Sequence, residues 1–276
     1  MSNQRKIRIP DTAGFEMTYY YNRENEEIEA RRFPTHVHDI PELYILAEGA
    51  CSFAVENRVY RLEPGDVVIS RPNEMHNCIL TEPSRHQHLC FWFDPDFVLL
   101  DRILDSCSSL GNLISPPPEK KKRILELCDA LDKAGKQERH RREYALVCLL
   151  LCEIEESIGT GESATAAVPE QLSVILRDIS DNFQSIESLD YFTDKYFLSA
   201  STLGRMFRTH LHTTPRAYLE TKKLAYSRIL LREGAPVSEA CRKAGFSDVS
   251  GYIRLFRKRF GVTPGEYKRG AAIKDY

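Results

Sequence analysis

The sequence predicts an α+β protein of two unlike halves: an N-terminal antiparallel β-barrel or jelly roll with flanking helices, then an all-α C-terminal domain of two helix-turn-helix motifs joined by a long helix. Three observations carry that expectation. Short β-rich runs separated by turn residues fill positions 14 to about 93, one local pattern recurs at a constant offset of 49 within residues 187–269, and charge is divided between the halves. From Gln171 onward 18 Lys and Arg face 11 Asp and Glu, a balance of +7, whereas the preceding residues carry 20 against 29, or −9. A basic half that holds the repeat, beside an acidic half, is the distribution of a phosphate-binding module joined to a domain that does not itself bind nucleic acid. At 276 residues the chain is long enough for about two cores.

Taken in order, residues 1–12 read as a polar arm, and strands are expected at 15–21, 28–32, 43–47, 51–55, 59–62, 67–70, 78–80 and 88–93. Turn residues separate them at Asn22 to Asn25, Glu48-Gly49, Glu56-Asn57, Pro64-Gly65-Asp66 and Pro72-Asn73. A mixed connector covers 94–115, and Pro116-Pro117-Pro118 is a hard break. Two helices follow, 119–133 and 138–158, the second with an apolar face (Tyr144, Leu146, Val147, Leu149, Leu150, Leu151, Ile154, Ile158) broader than one barrel wall needs. GTGESATAAVPEQ, 159–171, lacks periodicity and reads as a linker, after which a helix at 172–181 opens the basic half. The expected division is therefore a β-rich domain at 1–115, a helical region at 116–158, a linker at 159–171 and a basic helical domain at 172–276, to which the resemblances given below assign effector sensing, dimerisation together with the sensor, and DNA binding for the first, second and fourth. Eight cysteines without a C-x-x-C pair suggest reduced thiols rather than a zinc ribbon or disulfide scaffold. No run of about 18 apolar residues occurs and MSNQRKIRIP lacks an apolar core, so the expected location is the cytoplasm, without a membrane partner.

The repeat pairs Phe197 with Phe246, Ser201 with Ser250, Arg205 with Arg254, Phe207 with Phe256, Arg208 with Arg257, Thr214 with Thr263, Pro215 with Pro264 and Tyr218 with Tyr267. Each copy reads as a short helix, a turn and a second helix capped by Ser199, or by Ser247 or Asp248. Phe207 and Phe256 fall on the core side, the arginines on the solvent side, and Thr-Pro then opens a further helix. Between the copies, 215–232 reads as one helix stopped by Gly234 and Pro236. Roughly 18 residues at 1.5 Å each give a rod of about 27 Å, which suits two helices reaching successive major grooves about 34 Å apart.

The AGF at 244–246, SGYIRLFRKRFGVTPGEY at 250–267, LGRMFR at 203–208 and TTPRAYL at 213–219 resemble the paired helix-turn-helix domain of AraC-family transcription regulators. The resemblance implies double-stranded DNA as partner, a homodimer and contact with RNA polymerase. It places Ser201, Thr202, Gly204 and Arg205 of one recognition helix, and Ser250, Gly251 and Arg254 of the other, against base edges. Arg205 and Arg254 are the expected guanine readers, with phosphate contact as the alternative. Arg208, Arg257, Lys258 and Arg259 are expected at phosphates.

In the first half, HVHDIPELYIL, Gly49 and LEPGDVVISRPNEMH resemble the cupin sensor domain at the front of many such regulators. That resemblance implies a cupin-like barrel that binds a small effector, with sugars the commonest class. His36, His38, Glu42 and His76 are similar to the cupin metal set; alternating strand residues share a face, and three imidazoles with a carboxylate suit zinc, nickel, iron or manganese. The other reading is metal-free, with the same residues bonding one another or lining an effector pocket together with Tyr44 and Trp92. No metal is required for DNA binding. A metal-dependent cupin enzyme is the rival class, and a barrel that only dimerises the third; catalysis would leave the whole repeat unexplained.

Overall fold

The computed structural model describes residues 5–8, 16–22, 35–38, 40–80, 86–93, 98–137, 139–160 and 168–270. The first half is a two-sheet barrel. Its strands are β1 (Arg5–Arg8), β2 (Glu16–Asn22), β3 (Glu42–Glu48), β4 (Cys51–Val55), β5 (Arg58–Leu62), β6 (Val67–Ser70), β7 (His76–Ile79), β8 (Gln87–Phe93) and the two-residue β9 (Leu113–Ile114). One sheet has the order β1-β2-β8-β3-β6-β9 and the other β5-β4-β7. Both are antiparallel, with Tyr44 opposite Cys90 and Phe53 opposite Cys78.

Alternation along the strands decides what lies on each side. Leu43, Ile45, Val67, Ile69, Leu89, Phe91 and Phe93 turn outward from the six-stranded sheet onto α1 (Asp101–Leu110), α2 (Pro118–Lys136) and α3 (His140–Glu155). Tyr44, Leu46, Phe53, Val55, Tyr60, Val68, Cys78 and Cys90 turn inward and fill the barrel. The outer face of the three-stranded sheet, Ala54, Val59 and Ile79 together with Met75, is covered by the C-terminal half. Strands β3, β6 and β7 are thus buried on both faces and carry no exposed position.

The C-terminal half is all helical: α4 (Glu170–Asn182), α5 (Asp190–Tyr196), α6 (Ala200–Leu211), α7 (Pro215–Arg232), α8 (Val237–Lys243), α9 (Val249–Phe260) and α10 (Pro264–Lys268). Helix α7 spans the interval the sequence predicts. Its Leu219 joins the core of the first motif and its Leu224, Leu230 and Leu231 the core of the second. No helix among the described residues is long and apolar enough to cross a membrane.

Three boundaries differ from expectation. Residues 5–8 of the supposed polar arm pair with β2, because a neighbouring edge offers the backbone bonds that polar side chains do not forbid. The connector at 94–115 contains α1, which buries Ile103 and Cys107 at helical spacing, and β9, which closes the sheet edge beside β6. Helix α4 begins at Glu170, inside the expected linker, since Pro169 is well placed to precede a helix. The broad face of α3 is used mainly within the chain: Val147, Leu150, Leu151 and Ile154 lie on the sheet, leaving Leu149 40% exposed. The expected strand at 28–32 and residues 161–167 of the linker lie outside the described residues.

Candidate nucleic-acid interface and barrel centre

Each recognition helix is set by its cap. Ser199 accepts from the Thr202 backbone N–H, and Asp248, rather than Ser247, accepts from those of Ser250 and Gly251. Thr214 caps α7, and Thr263 forms a reciprocal capping box with Glu266 at α10. Leu203 and Phe207, and Tyr252, Phe256 and Phe260, are buried beneath the two helices. That leaves Ser201, Arg205, Arg208, Ser250, Arg254, Arg257 and Lys258 exposed, with Thr202 half-buried. The Arg254 side chain is 76% exposed and lies 3.8 Å from the Asp248 carboxylate. The glycines are placed differently. Gly204 is buried, with the Arg208 guanidinium above it, and Gly251 makes room for Asp248, whose Oδ2 would lie 2.6 Å from an added Cβ.

Arg259 corrects an expectation. It is half-buried and donates to the Thr35 carbonyl of the barrel, so it is turned away from the phosphates. The pairing of Phe197 with Phe246 also fails in three dimensions. Phe246 lies against Tyr252, with ring centroids 5.1 Å apart, whereas Phe197 is 94% exposed at φ 52°. The left-handed residue of the second turn is instead Gly245, at φ 83° and close against the Gln184 backbone.

In the barrel, His36, His38, Glu42 and His76 converge. One ligating atom from each lies within 4.8 Å of all the others, and only His36 is not fully buried. An isolated bridge between His36 and His76 brings the segment before β3 onto β7. Glu42 Oε2 is 2.9 Å from His38 Nε2 and 3.6 Å from His76 Nε2, and it accepts from Trp92 Nε1 at 2.7 Å. Burial alone would raise the Glu42 pKa. The facing imidazoles, His76 foremost, hold it well below the usual carboxylate range. Burial likewise opposes the charged form of His76, but Glu42 raises its pKa. Nδ1 of His76 lies 2.9 Å from the Glu74 carbonyl, the arrangement that leaves Nε2 to face Glu42.

Tyr44 lines the barrel interior beside His86, His88 and Cys78, its hydroxyl 2.8 Å from His86 Nε2, and Phe53 packs on both Tyr44 and His76. Burial would raise the Cys78 thiol. Hydrogen bonds with Cys51, His86 and Tyr44 bring it down to about 6. His86 and Cys51 carry no motif, and only their inward register marks them.

Among the described residues the two halves meet through polar contacts of Glu56, Thr35 and Val37. At the β4–β5 turn the Glu56 carbonyl accepts from the Tyr218 hydroxyl at 2.6 Å, and its carboxylate pairs with Lys222 of α7. Thr35 receives Arg259, as above. Arg228 of α7 has no exposed surface; it donates to the Val37 carbonyl at 3.2 Å and lies over the rings of Phe260 and Tyr267, 4.8 and 5.8 Å from their centroids.

Two exposed recognition helices on one spacer, docked on a barrel with a buried polar centre, define a DNA-binding regulator that carries a ligand-binding domain. Residues 25–150 match the AraC-like ligand binding domain family and residues 192–270 a helix-turn-helix domain family. The chain is 24% identical over 248 residues to the HTH-type transcriptional activator RhaS of Escherichia fergusonii, and 25% over 257 residues to RhaS of Escherichia coli K12/DH10B. Each alignment covers 86% of this chain and 88% of the relative. Similar solved structures include ToxT of Vibrio cholerae O395 (11% identity, 92% of this chain and 97% of that one, TM-score 0.37). Another is the C-terminal domain of the response regulator yesN of Fusobacterium nucleatum (27%, 34% and 94%, TM-score 0.33). The chain belongs to the AraC family of transcription regulators, which are transcription factors and not enzymes.

Proposed function

We propose that this regulator is a cytoplasmic, homodimeric activator whose effector, a sugar or a related small polar metabolite, is taken up at the His36, His38, Glu42 and His76 centre. The relatives named as activators support the sign, and RNA polymerase is then the partner of the DNA-bound form. Arg205 and Arg254 read base edges while Arg208, Arg257 and Lys258 hold phosphates, in keeping with their exposure on α6 and α9. The open edge of α3, Ala145, Leu149 and Cys152, is the surface offered to a second copy.

One observation carries the control step. Val37 lies between two histidines of the centre, and its carbonyl is the acceptor for Arg228 on the helix that spaces the two DNA-reading motifs. An effector that moves His36 or His38 moves that acceptor with them. The centre also fits a divalent metal: His38 Nε2 and His76 Nε2 are buried beside one carboxylate oxygen of Glu42, 2.9 and 3.6 Å away. With His36 and Glu42 they would hold zinc, nickel, iron or manganese, which supplies a Lewis-acidic point for effector hydroxyl or carboxylate groups.

The test is a thermal-shift screen of monosaccharides and sugar acids on the full chain, followed by binding to DNA selected in vitro. A hit is expected to raise Tm, to change DNA affinity, and to lose both effects in Glu42→Gln. A ligand that raises Tm yet leaves DNA affinity unchanged would refute the control step. Sedimentation showing only monomer at micromolar concentration, with and without DNA, would refute the dimer.

A further inference from the structure

The barrel holds a second convergence of donor groups, independent of the effector reading. Cys51 on β4, Cys78 on β7 and His86 just before β8 are all buried and bring two sulfurs and an imidazole nitrogen within 4.8 Å of one another. His86 Nε2 is 3.7 Å from Cys78 Sγ, and the Tyr44 hydroxyl lies 2.8 Å from that nitrogen and 3.8 Å from that sulfur. The Phe53 ring packs between Tyr44 and His76, 4.6 and 6.1 Å from them between centroids.

Two features of this geometry matter. A tetrahedral ion with Zn–S of about 2.3 Å and Zn–N of about 2.0–2.1 Å sets sulfur and nitrogen roughly 3.5 Å apart, close to the spacing already present. The cysteines are diagonal neighbours, because Cys78 faces Phe53 rather than Cys51. Diagonal Cα atoms lie about 7–8 Å apart, beyond the usual reach of a disulfide, so the sulfurs face each other across a gap. Charge then selects the ion. Two thiolates neutralise a divalent cation, whereas a monovalent one would leave net negative charge in a dry interior.

We propose that Cys51, Cys78 and His86 bind a zinc ion, with the Tyr44 hydroxyl oxygen in reach of the fourth position. Zn²⁺ enters and the two thiol protons leave, so the occupied site carries no net charge. Because every donor comes from the protein, the role is structural. Cys51 and Cys78 belong to the three-stranded sheet, whereas Tyr44 lies in the six-stranded sheet and His86 adjoins it, so the ion staples the two sheets together.

The experiment is zinc-edge X-ray absorption on zinc-loaded, full-length wild-type protein. A sulfur shell at about 2.3 Å is expected. It should vanish in Cys78→Ser and persist in Cys152→Ser, which removes an exposed thiol, and in Glu42→Gln, which disables the other centre. Zinc should also raise Tm in wild type and in Glu42→Gln. A shell of nitrogen and oxygen alone in wild type overturns the proposal, and that reading stands even if Cys78→Ser fails to fold. A shell unchanged in a folded Cys78→Ser, or a Cys51–Cys78 disulfide in protein purified without reductant that zinc cannot displace after reduction, overturns it equally.

Discussion

Arg228→Met is the most informative single change outside the recognition helices. Methionine keeps most of the side-chain volume and removes the guanidinium, which in the native chain has no exposed surface. Two contributions of the guanidinium are lost. A hydrogen bond from a charged donor to the Val37 carbonyl contributes about 1.5–3 kcal/mol. The desolvated cation over Phe260 contributes about 2 kcal/mol, but it lies within the C-terminal half and does not hold the halves together. Against both stands the cost of burying the charge, several kcal/mol, which methionine does not incur. Global stability should therefore change little, by about 1–2 kcal/mol in either direction. Loss of the Val37 hydrogen bond should weaken docking about 10- to 150-fold in the docked-to-undocked equilibrium. Hydrogen exchange read on the full chain checks this. Amides of 35–38 and of the β4–β5 turn should exchange faster by that factor, while those of β3 and β8 should not. If the interface amides change by less than about threefold while the variant remains folded, Arg228 does not couple the halves.

Three further outcomes follow from named contacts. Arg254→Ala should relax base preference at one operator position at about 1–3 kcal/mol, whereas Lys258→Ala should weaken all sequences alike; equal loss on specific and scrambled DNA for Arg254→Ala would refute its role in readout. Asp178 is buried, which alone would raise its pKa, but Lys195, Tyr196, Asn182 and Tyr191 around it hold the pKa low. Its folded value lies below the unfolded one, so its contribution is complete above about pH 4 and is lost as pH falls through the folded value. Asp178→Asn should flatten that acid limb in urea midpoints measured across pH. Gly245→Ala adds a methyl that meets the Gln184 carbonyl at φ 83°, and should cost about 2–5 kcal/mol by chemical denaturation.

Much of this architecture was legible because each signal had a local cause. Alternation placed β3 to β8 within two residues at each end, and the capping residues Ser199, Thr214 and Thr263 marked helix starts that the structure reproduces. The H-x-H-x3-E spacing marked His36, His38 and Glu42, and the likeness to the cupin set added His76; the four side chains do meet at one point. What escaped were features with tertiary causes. Helix α1 has no capping side chain, and β9 is two residues long. Tyr44 and Glu42 alternate onto the same face of β3, but the packing of Phe53 from the opposite sheet against both Tyr44 and His76 is recorded by no single strand. Arg259 resembles its exposed neighbours Arg257 and Lys258 in every local respect. Only the docked barrel distinguishes it. The apolar outer face of the three-stranded sheet was the one available hint that something covers it.

Helix α7 is at once the ruler between the two DNA-reading motifs and the handle by which the barrel grips them, through Tyr218, Lys222 and Arg228 along its length. A rod held at three points cannot be tilted at one end alone. Any rearrangement of the grip therefore moves both motifs together, so a signal that loosens it frees or withholds the two half-site contacts as a pair and not one at a time.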